Sequence, residues 1–246
     1  MIVRVINSGS EGNGYAVGDE KETLLIEAGC SFKEVQKALN FNTFCIQGMV
    51  ISHSHTDHYR YYGQFEHKGF PILTPFTDDR KTAKMGRFTV QAFQVPHQED
   101  LHCYGFLIKH PKFGKLLFVT DLEYCPYDMS KVKPNIVMVE CNYMDEYVSA
   151  DLRMEQKQRT DHKYSGHMSL GTCKTFLKTV LNDNLRNVIL VHMSHETCDG
   201  DEVVRQVKEI VGENVTVDIA FRGKTIDIGD SVYEQSATGW KTYERS

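Results

Sequence analysis

The chain has 246 residues and a near-average globular composition, with 41% hydrophobic and 25% charged residues. Burial can therefore offset chain entropy, which excludes a wholly disordered protein, and we expect one domain over residues 1–230. The formal net charge of −5 gives no general attraction for polyanions, so a nucleic-acid or phosphate substrate must be held by a local patch or by metal.

The amino terminus and the cysteines indicate the compartment. Met1 leads directly into a strand-like apolar run over residues 2–6, without a basic head or a small-residue cleavage site. No apolar run approaches the roughly 20 residues needed to span a bilayer. The 7 cysteines are odd in number and form no C-x-x-C pair, so neither a disulfide framework nor a thiolate zinc site is predicted. We expect a cytoplasmic protein without membrane contact, its cysteines mostly reduced and buried.

The predicted elements begin with strands and then alternate between strands and helices. The hydrophobic pattern predicts strands over residues 1–6, 23–27, 49–53, 71–74, 87–95, 104–110, 116–121, 136–140, 188–192, 215–219 and 224–228. It predicts helices over residues 32–39, 59–67, 170–181 and 199–211. This order favours an α/β fold of two packed sheets covered by helices on both sides, a four-layer αββα sandwich. Residues 231–246 are polar and predict a tail or an arm that contacts a partner; a homodimer is left open.

Four predicted strands end in a side chain that can bind metal or exchange a proton. The apolar runs lead to His53, Asp121, Glu140 and His192. Such continuous runs are typical of strands buried on both faces. If the strands point the same way, their polar ends meet at one rim, where a rigid sheet supports variable loops. We therefore predict a functional site at this rim; four unrelated strand ends are the alternative.

The run from His53 to His58 is the strongest sign of a metal site. His53 and His55 are two apart on an extended segment, so both imidazoles face one side and can share a metal. Asp57 and His58 come where a helix should begin, and the turn of the chain can direct them at a second metal. The helix dipole also favours a carboxylate at this position. A histidine-rich surface loop is the alternative interpretation.

This run resembles the H-x-H-x-D-H signature of the metallo-β-lactamase superfamily, which follows a strand and is accompanied by two further histidines and an aspartate. Residues 8–13 (SGSEGN), 28–29 (AG), 166–169 (GHMS) and 192–194 (HMS) are similar to the YycJ/WalJ-type branch. That branch is related to RNase Z and RNase J and is implicated in DNA exonuclease activity. The resemblance spans residues 1–228 and implies the metallo-β-lactamase fold.

The resemblance also implies a centre with two divalent metal ions. Its expected ligands are His53, His55 and His97 for the first metal, Asp57, His58 and His192 for the second, and Asp121 as a bridge. Two cations roughly 3.5–4 Å apart lower the pKa of a bridging water to near 7, so the resulting hydroxide is the expected nucleophile. Asp57 is then the natural proton acceptor. This ligand set suits Zn²⁺ best, and Mn²⁺ is the alternative.

Five further residues have predicted roles around the metals. The similar motif of RNase Z makes His167 a candidate to protonate the leaving group or hold phosphate, with a local hydrogen bond at a helix start as the alternative. Glu140 is predicted to orient His167 through a hydrogen bond. Glu27 stands where the family commonly carries aspartate and is expected to support the site. Arg159 and Lys163 are candidate substrate-binding residues, although charged stretches are more often solvated faces.

The predicted function is that of a dinuclear-metal phosphodiesterase or nuclease that cleaves DNA or RNA, with attack from a 5′ end as one form. A cyclic-nucleotide phosphodiesterase is the alternative, because the chain is compact, negatively charged and without an appended nucleic-acid-binding module. Thioester or lactam hydrolysis is a further alternative, against which the GHMS and HMS motifs count. A catalytically silent interaction module is disfavoured because competent side chains occupy all the expected ligand positions.

Overall fold

The computed structural model of the chain describes residues 1–97, 101–148 and 166–229 in full, and the backbone alone of residues 98, 232–236 and 239–243. The strands in chain order are β1 (Ile2–Asn7), β2 (Gly14–Gly18), β3 (Thr23–Ile26), β4 (Ile46–Val50), β5 (Ile72–Leu73), β6 (Thr82–Met85), β7 (Phe88–Gln98), β8 (Leu101–His110), β9 (Gly114–Val119), β10 (Ile136–Glu140), β11 (Asn187–Val191), β12 (Thr216–Ile219), β13 (Thr225–Asp227), β14 (Val232–Ser236) and β15 (Gly239–Tyr243).

These strands form two large sheets. The first sheet has the order β13-β1-β2-β3-β4-β5, and the second has the order β12-β11-β10-β9-β8-β7-β6. Strands β3, β4 and β5 run parallel, as do β9, β10, β11 and β12. The segment predicted to be a tail or an arm contains β14 and β15, which pair with each other antiparallel in a separate sheet. The sequence pattern did not predict β2 or β6, which are short and rich in glycine or polar residues.

Helices cover the outer face of each sheet. They are α1 (Phe32–Ala38), α2 (Thr56–Tyr59), α3 (Tyr62–Phe65), α4 (Leu170–Val180) and α5 (Gly200–Val211). The first three pack on the first sheet, and α4 and α5 pack on the second, which confirms the predicted αββα sandwich. None of the helices in the described ranges has both the length and the apolarity to cross a membrane.

The main core lies between the two sheets. Val3 and Val5 of the first sheet face Phe106 and Phe118 of the second, and all four are buried. Because successive side chains of a strand point to opposite faces, Leu117 lies on the outer side, under the helices. Burial on both faces explains why the sequence of these strands is a continuous apolar run. The cysteines are all free and most are buried, as predicted.

In place of one helix over residues 59–67, the structure has α2, which begins earlier, at Thr56, and ends at Tyr59, and α3, which covers Tyr62–Phe65. The carbonyl oxygens that would continue the first helix accept hydrogen bonds from distant loops. Asp57 O accepts from Asn13 N at 2.6 Å, and His58 O accepts from Ala28 N at 2.8 Å. The N–H of Tyr61 in turn donates to Ala28 O at 2.9 Å. These bonds end α2 early. They also join the His53–His58 segment to the loop before β2 and to the loop after β3.

Replacing Phe118 by alanine should lower the free energy of unfolding by roughly 3–5 kcal/mol, since it removes a fully buried ring from the centre of the core. Phe44→Ala is the matched control, because its side chain is 97% exposed and should matter little. Urea unfolding followed by circular dichroism would measure both. Equal losses in the two variants would contradict the core described above.

Candidate metal centre

The strand ends converge on one rim, as the sequence predicted. Glu27 follows β3, Asp121 lies two residues beyond β9, and His192 follows β11. All three residues have left-handed backbones, with φ of 66°, 50° and 54°. Such conformations are uncommon for residues other than glycine and cost on the order of 1 kcal/mol or more each. The rim therefore holds its polar side chains in position at the expense of backbone strain.

The first group of donors contains three histidines and a carboxylate: His53, His55, His97 and Asp121. Their ligand atoms all lie within 4.8 Å of one another. His53 Nε2 lies 3.3 Å from Asp121 Oδ2, and His97 Nε2 lies 3.2 Å from His55 Nδ1. These residues come from the two different sheets, so the group forms only when the sandwich is closed.

The orientation of two of these rings is fixed from behind. His53 Nδ1 lies 2.8 Å from the hydroxyl of Ser52. His97 Nδ1 donates to the carbonyl of Gly166 at 2.8 Å. In both rings the bond at Nδ1 leaves Nε2 directed into the group, which is the usual arrangement of a metal-binding histidine.

The second group of donors shares Asp121 with the first and adds Asp57, His58 and His192. His58 Nε2 lies 3.2 Å from both Asp57 Oδ2 and Asp121 Oδ2. His192 Nε2 lies 3.1 Å from Asp57 Oδ2. The two groups are therefore adjacent, and the carboxylate of Asp121 lies between them.

The donor chemistry fits divalent cations. His53 Nε2 is buried and makes no hydrogen bond of good geometry, although it lies 3.3 Å from Asp121 Oδ2. Burial lowers the pKa of His97 to about 3, so its imidazole is neutral and presents a lone pair. Burial alone would raise the pKa of Asp121, but the surrounding imidazoles, His58 foremost, lower it well below its usual range. A neutral imidazole such as that of His97 and an ionised carboxylate such as that of Asp121 are the forms in which these side chains bind metal. Burial disfavours protonation of His58 and His192, but the Asp121 carboxylate outweighs this and raises the pKa of both, so a bound cation would displace their protons.

Glu140 and His167 form the hydrogen bond that the sequence predicted. His167 Nδ1 lies 2.6 Å from Glu140 Oε1, and the ring of His167 stacks on that of His192 with centroids 5.1 Å apart. Glu140 is fully buried, and its other oxygen accepts from the backbone N–H groups of Leu122 and Met168. Burial disfavours protonation of His167, but the Glu140 carboxylate outweighs this and raises the pKa to about 9.

A cavity of about 390 Å³ adjoins the second donor group at His192 and is lined by residues 7–11, 142, 167 and 192–196. His167 and His192 form part of its wall, together with the acidic side chains of Glu11 and Glu196. The other predicted substrate-binding residues, Arg159 and Lys163, lie outside the described residues. A ligand in this cavity would touch both His167 and the second donor group.

Two amides support the site that the sequence did not single out. Asn13 Nδ2 donates to Asp57 Oδ2 at 3.1 Å and lies 2.9 Å from His58 Nε2. Asn142 Nδ2 donates to the carbonyl of His192 at 2.9 Å. Asn13 is the last residue of the SGSEGN motif, so the motif indicated a functional loop but not the hydrogen bond from Asn13 to Asp57. Asn142 carries no signal beyond its position two residues after the end of β10.

Glu27 supports the centre without joining either donor group. Its Oε2 accepts from the backbone N–H of Ser52 at 3.2 Å and lies 3.5 Å from His58 Nδ1, on the side of that ring away from the other donors. The Glu27 carboxylate therefore lies behind the His58 ring and next to the backbone of Ser52. Glu27 makes these contacts from a left-handed backbone conformation.

Curated relatives cover most of the chain, whereas no family model matches it. The chain is similar to exodeoxyribonuclease YycJ of Bacillus anthracis, with 24% identity over 217 residues that cover 77% of this chain and 81% of the relative. It is also similar to exodeoxyribonuclease WalJ of Streptococcus pneumoniae, with 22% identity over 94% of this chain and 93% of the relative. The predicted similarity to YycJ/WalJ-type proteins is confirmed.

Solved structures share the architecture at lower identity. The metallo-β-lactamase fold protein YhfI of Bacillus subtilis matches with a TM-score of 0.64 and 18% identity, covering 91% of this chain and 98% of YhfI. The chain has the metallo-β-lactamase fold. The human short-form tRNase Z shares this fold with a TM-score of 0.60 and 16% identity, over 93% of this chain and 99% of that enzyme. A diphosphatase of the PhnP family matches with a TM-score of 0.59 and 13% identity, over 92% and 97% of the two chains.

The metallo-β-lactamase fold of this chain depends at the rim on Gly29. A Cβ atom at this position would overlap the carbonyl oxygen of Asp57 and crowd the backbone N–H of Asn13. Gly29→Ala should therefore separate the loop from α2 and lower the free energy of unfolding by at least about 2 kcal/mol. Gly63→Ala is the control, since a Cβ there meets nothing within 4 Å. Thermal unfolding would compare them, and an unchanged midpoint for Gly29→Ala would contradict this close approach.

Proposed function

We propose that this chain is a metal-dependent phosphodiesterase that hydrolyses nucleic acid, with DNA as the first substrate to test. The observation that carries the proposal is the position of His167, which Glu140 holds against the donor groups at the wall of the cavity. A hydrolase that needs only metal-activated water does not need a further imidazole, outside the metal ligands, that is oriented by its own carboxylate. The names of the relatives, two exodeoxyribonucleases and a tRNase Z, agree with phosphodiester substrates.

We further propose that the donor groups bind two divalent cations, with Zn²⁺ favoured and Mn²⁺ as the alternative. The proposed ligands are those expected from the sequence, His53, His55 and His97 for one ion, Asp57, His58 and His192 for the other, and Asp121 for both. When bound, such ions activate water and stabilise the negative charge that develops on the phosphoryl oxygens.

Asp57 is the proposed acceptor of the proton from the attacking water. Its side chain is 20% exposed, so one edge of the carboxylate is open to the site. Burial raises its pKa, but hydrogen bonds with His192 and His58 outweigh this and keep the carboxylate ionised. The side-chain amide of Asn13 donates to the same oxygen, Asp57 Oδ2. The group is thus held in one orientation and in the form that accepts hydrogen bonds.

His167 is the proposed proton donor to the leaving group. Its Nδ1 is engaged by Glu140, which leaves Nε2 as the atom that can reach a substrate in the cavity. The leaving oxygen of a nucleic-acid phosphodiester is a sugar alkoxide, which departs slowly unless a proton is supplied. Glu140 acts through His167 as a positioning residue, because its second oxygen is tied to the backbone of Leu122 and Met168.

Hydrolysis of 5′-labelled single- and double-stranded DNA, RNA and cyclic nucleotides by the metal-loaded protein tests the function. We expect cleavage of oligonucleotides, and a loss of about 10³-fold in kcat/KM with reduced metal content for Asp121→Asn. Asp128→Asn, an exposed acid in the loop after the same strand, should match the unaltered protein. Turnover of cyclic nucleotides alone would replace the nuclease with a cyclic-nucleotide phosphodiesterase. Inertness toward every phosphodiester would end the proposal.

A change of leaving group tests the role of His167. His167→Ala should lower kcat for an oligonucleotide by roughly 10²–10⁴-fold, the usual contribution of general acid catalysis. With bis(p-nitrophenyl) phosphate the loss should be within about tenfold, because nitrophenolate leaves without a proton. His195→Ala serves as control, since this exposed histidine lines the same cavity. Equal losses on both substrates would show that His167 does not donate the proton.

A further inference from the structure

A second cavity lies in the second sheet, at the end away from the metal centre. It has a volume of about 500 Å³, and its lining includes Arg87, Lys109, His110 and Lys115. Lys115 is six residues before Asp121 along β9, which places the two about 20 Å apart at roughly 3.3 Å per strand residue. This cavity is therefore separate from the one beside His167, and nothing in the proposed hydrolysis uses it.

A row of paired residues runs across neighbouring strands, and Thr89, Lys109, Lys115 and Asn135 of this row line the cavity. Lys84 of β6 pairs with Thr89 of β7, Thr89 pairs with Lys109 of β8, and Lys109 pairs with Lys115 of β9. Asn135 extends the row, since its Oδ1 accepts from the backbone N–H of Lys115 at 2.9 Å. Residues directly opposite one another in a sheet point to the same face, with Cβ atoms roughly 4.5–5.5 Å apart. Lys109 and Lys115 are thus adjacent at the centre of the row.

This arrangement of charge is unfavourable for the protein alone. Like charges placed directly opposite each other destabilise an antiparallel pair. Within the described residues, Lys109 has no ion-pair or hydrogen-bond partner, and Lys115 Nζ donates only to the carbonyl of Val132 at 2.7 Å. Burial, followed by the charges of Lys109 and Lys133, lowers the pKa of Lys115. The repulsion between these lysines is therefore uncompensated, in a chain whose net charge is −5.

Two carboxylates near the cavity, Glu22 and Asp19, are already engaged with other cations. Glu22 is paired with Arg87 and lies 3.1 Å from His110 Nε2. Asp19 is paired with Lys112. Glu22 therefore fixes the guanidinium of Arg87 at the margin of the cavity and does not neutralise the two central lysines. A bound anion would offset the repulsion between Lys109 and Lys115.

We propose that this cavity binds a small phosphate-bearing ligand, with the phosphate held between Lys109 and Lys115. A phosphate group carries enough charge and enough acceptor oxygens to contact two ammonium groups at once. The volume lies in the range of small-molecule sites, about 300–1,000 Å³, which favours a single nucleotide or free phosphate over a polymer. The inference does not depend on the proposed hydrolysis, since it concerns other residues at the other end of the strands.

Titration of the full chain with inorganic phosphate and with deoxyadenosine monophosphate, at constant ionic strength, tests the site by calorimetry and thermal unfolding. Lys109→Gln should weaken the affinity of this cavity for phosphate and for the nucleotide by about tenfold or more. Without ligand, the same variant should unfold at the same or a higher temperature, because one repulsive charge is gone. Lys37→Gln, the same charge change on exposed α1, should alter neither property. Any phosphate that binds at the metal centre contributes equally to the binding measured for the wild type, Lys109→Gln and Lys37→Gln.

The outcomes separate the sources of the phosphate. Tighter binding of the nucleotide than of inorganic phosphate, lost in Lys109→Gln, would identify a nucleotide site, and equal binding would identify a phosphate site. Identical affinities for wild type and Lys109→Gln would overturn the proposal, as would the absence of binding to the wild type. A short oligonucleotide that alone loses affinity in the variant would also overturn it, because the row would then contact a polymer.

Discussion

The buried carboxylate of Asp121 is the interaction on which the centre of this molecule depends. It is an ionised group with almost no exposure, and it lies 3.2 to 3.7 Å from imidazoles of His53, His58 and His192. An isolated buried anion costs several kcal/mol, so these neighbours are a requirement of the fold as well as of the chemistry. Since His53 and His58 follow the first sheet while Asp121 and His192 follow the second, this cluster joins the two halves of the sandwich at the rim, where the apolar core ends.

The sequence predicted the rim because two independent signals agreed there. Apolar runs ending in His, Asp or Glu indicated buried strands with polar ends, and the spacing from His53 to His58 indicated metal binding. Neither signal describes contacts between distant loops. The helix predicted over residues 59–67 was wrong as one element because the carbonyls of Asp57 and His58, in α2, bond to Asn13 and Ala28, which no local pattern reveals. The role of Asn142 was missed for a similar reason, because a single asparagine produces no repeating pattern in the sequence.

The electrostatics of the two cavities differ in a way that bears on substrate recognition. The cavity beside His167 contains Glu11 and Glu196, whereas the remote cavity contains lysines. A polyanionic substrate therefore gains little from the described side chains around the proposed active site and must be attracted chiefly by bound cations. Metal content would then control affinity as well as turnover. The remote lysines add positive charge at a distance where screening by salt is already strong.

The left-handed backbones at Glu27, Asp121 and His192 have a consequence for local stability. Each stores conformational energy at a strand end, next to loops, while the strands themselves are buried and fully paired. The rim should therefore open by local unfolding more readily than the sheets, and its amides should exchange with solvent deuterium before those of β9 and β11. A ligand that binds only the ordered rim suppresses this opening by mass action. Protection of these few amides would thus report how completely the centre is occupied, without any assay of catalysis.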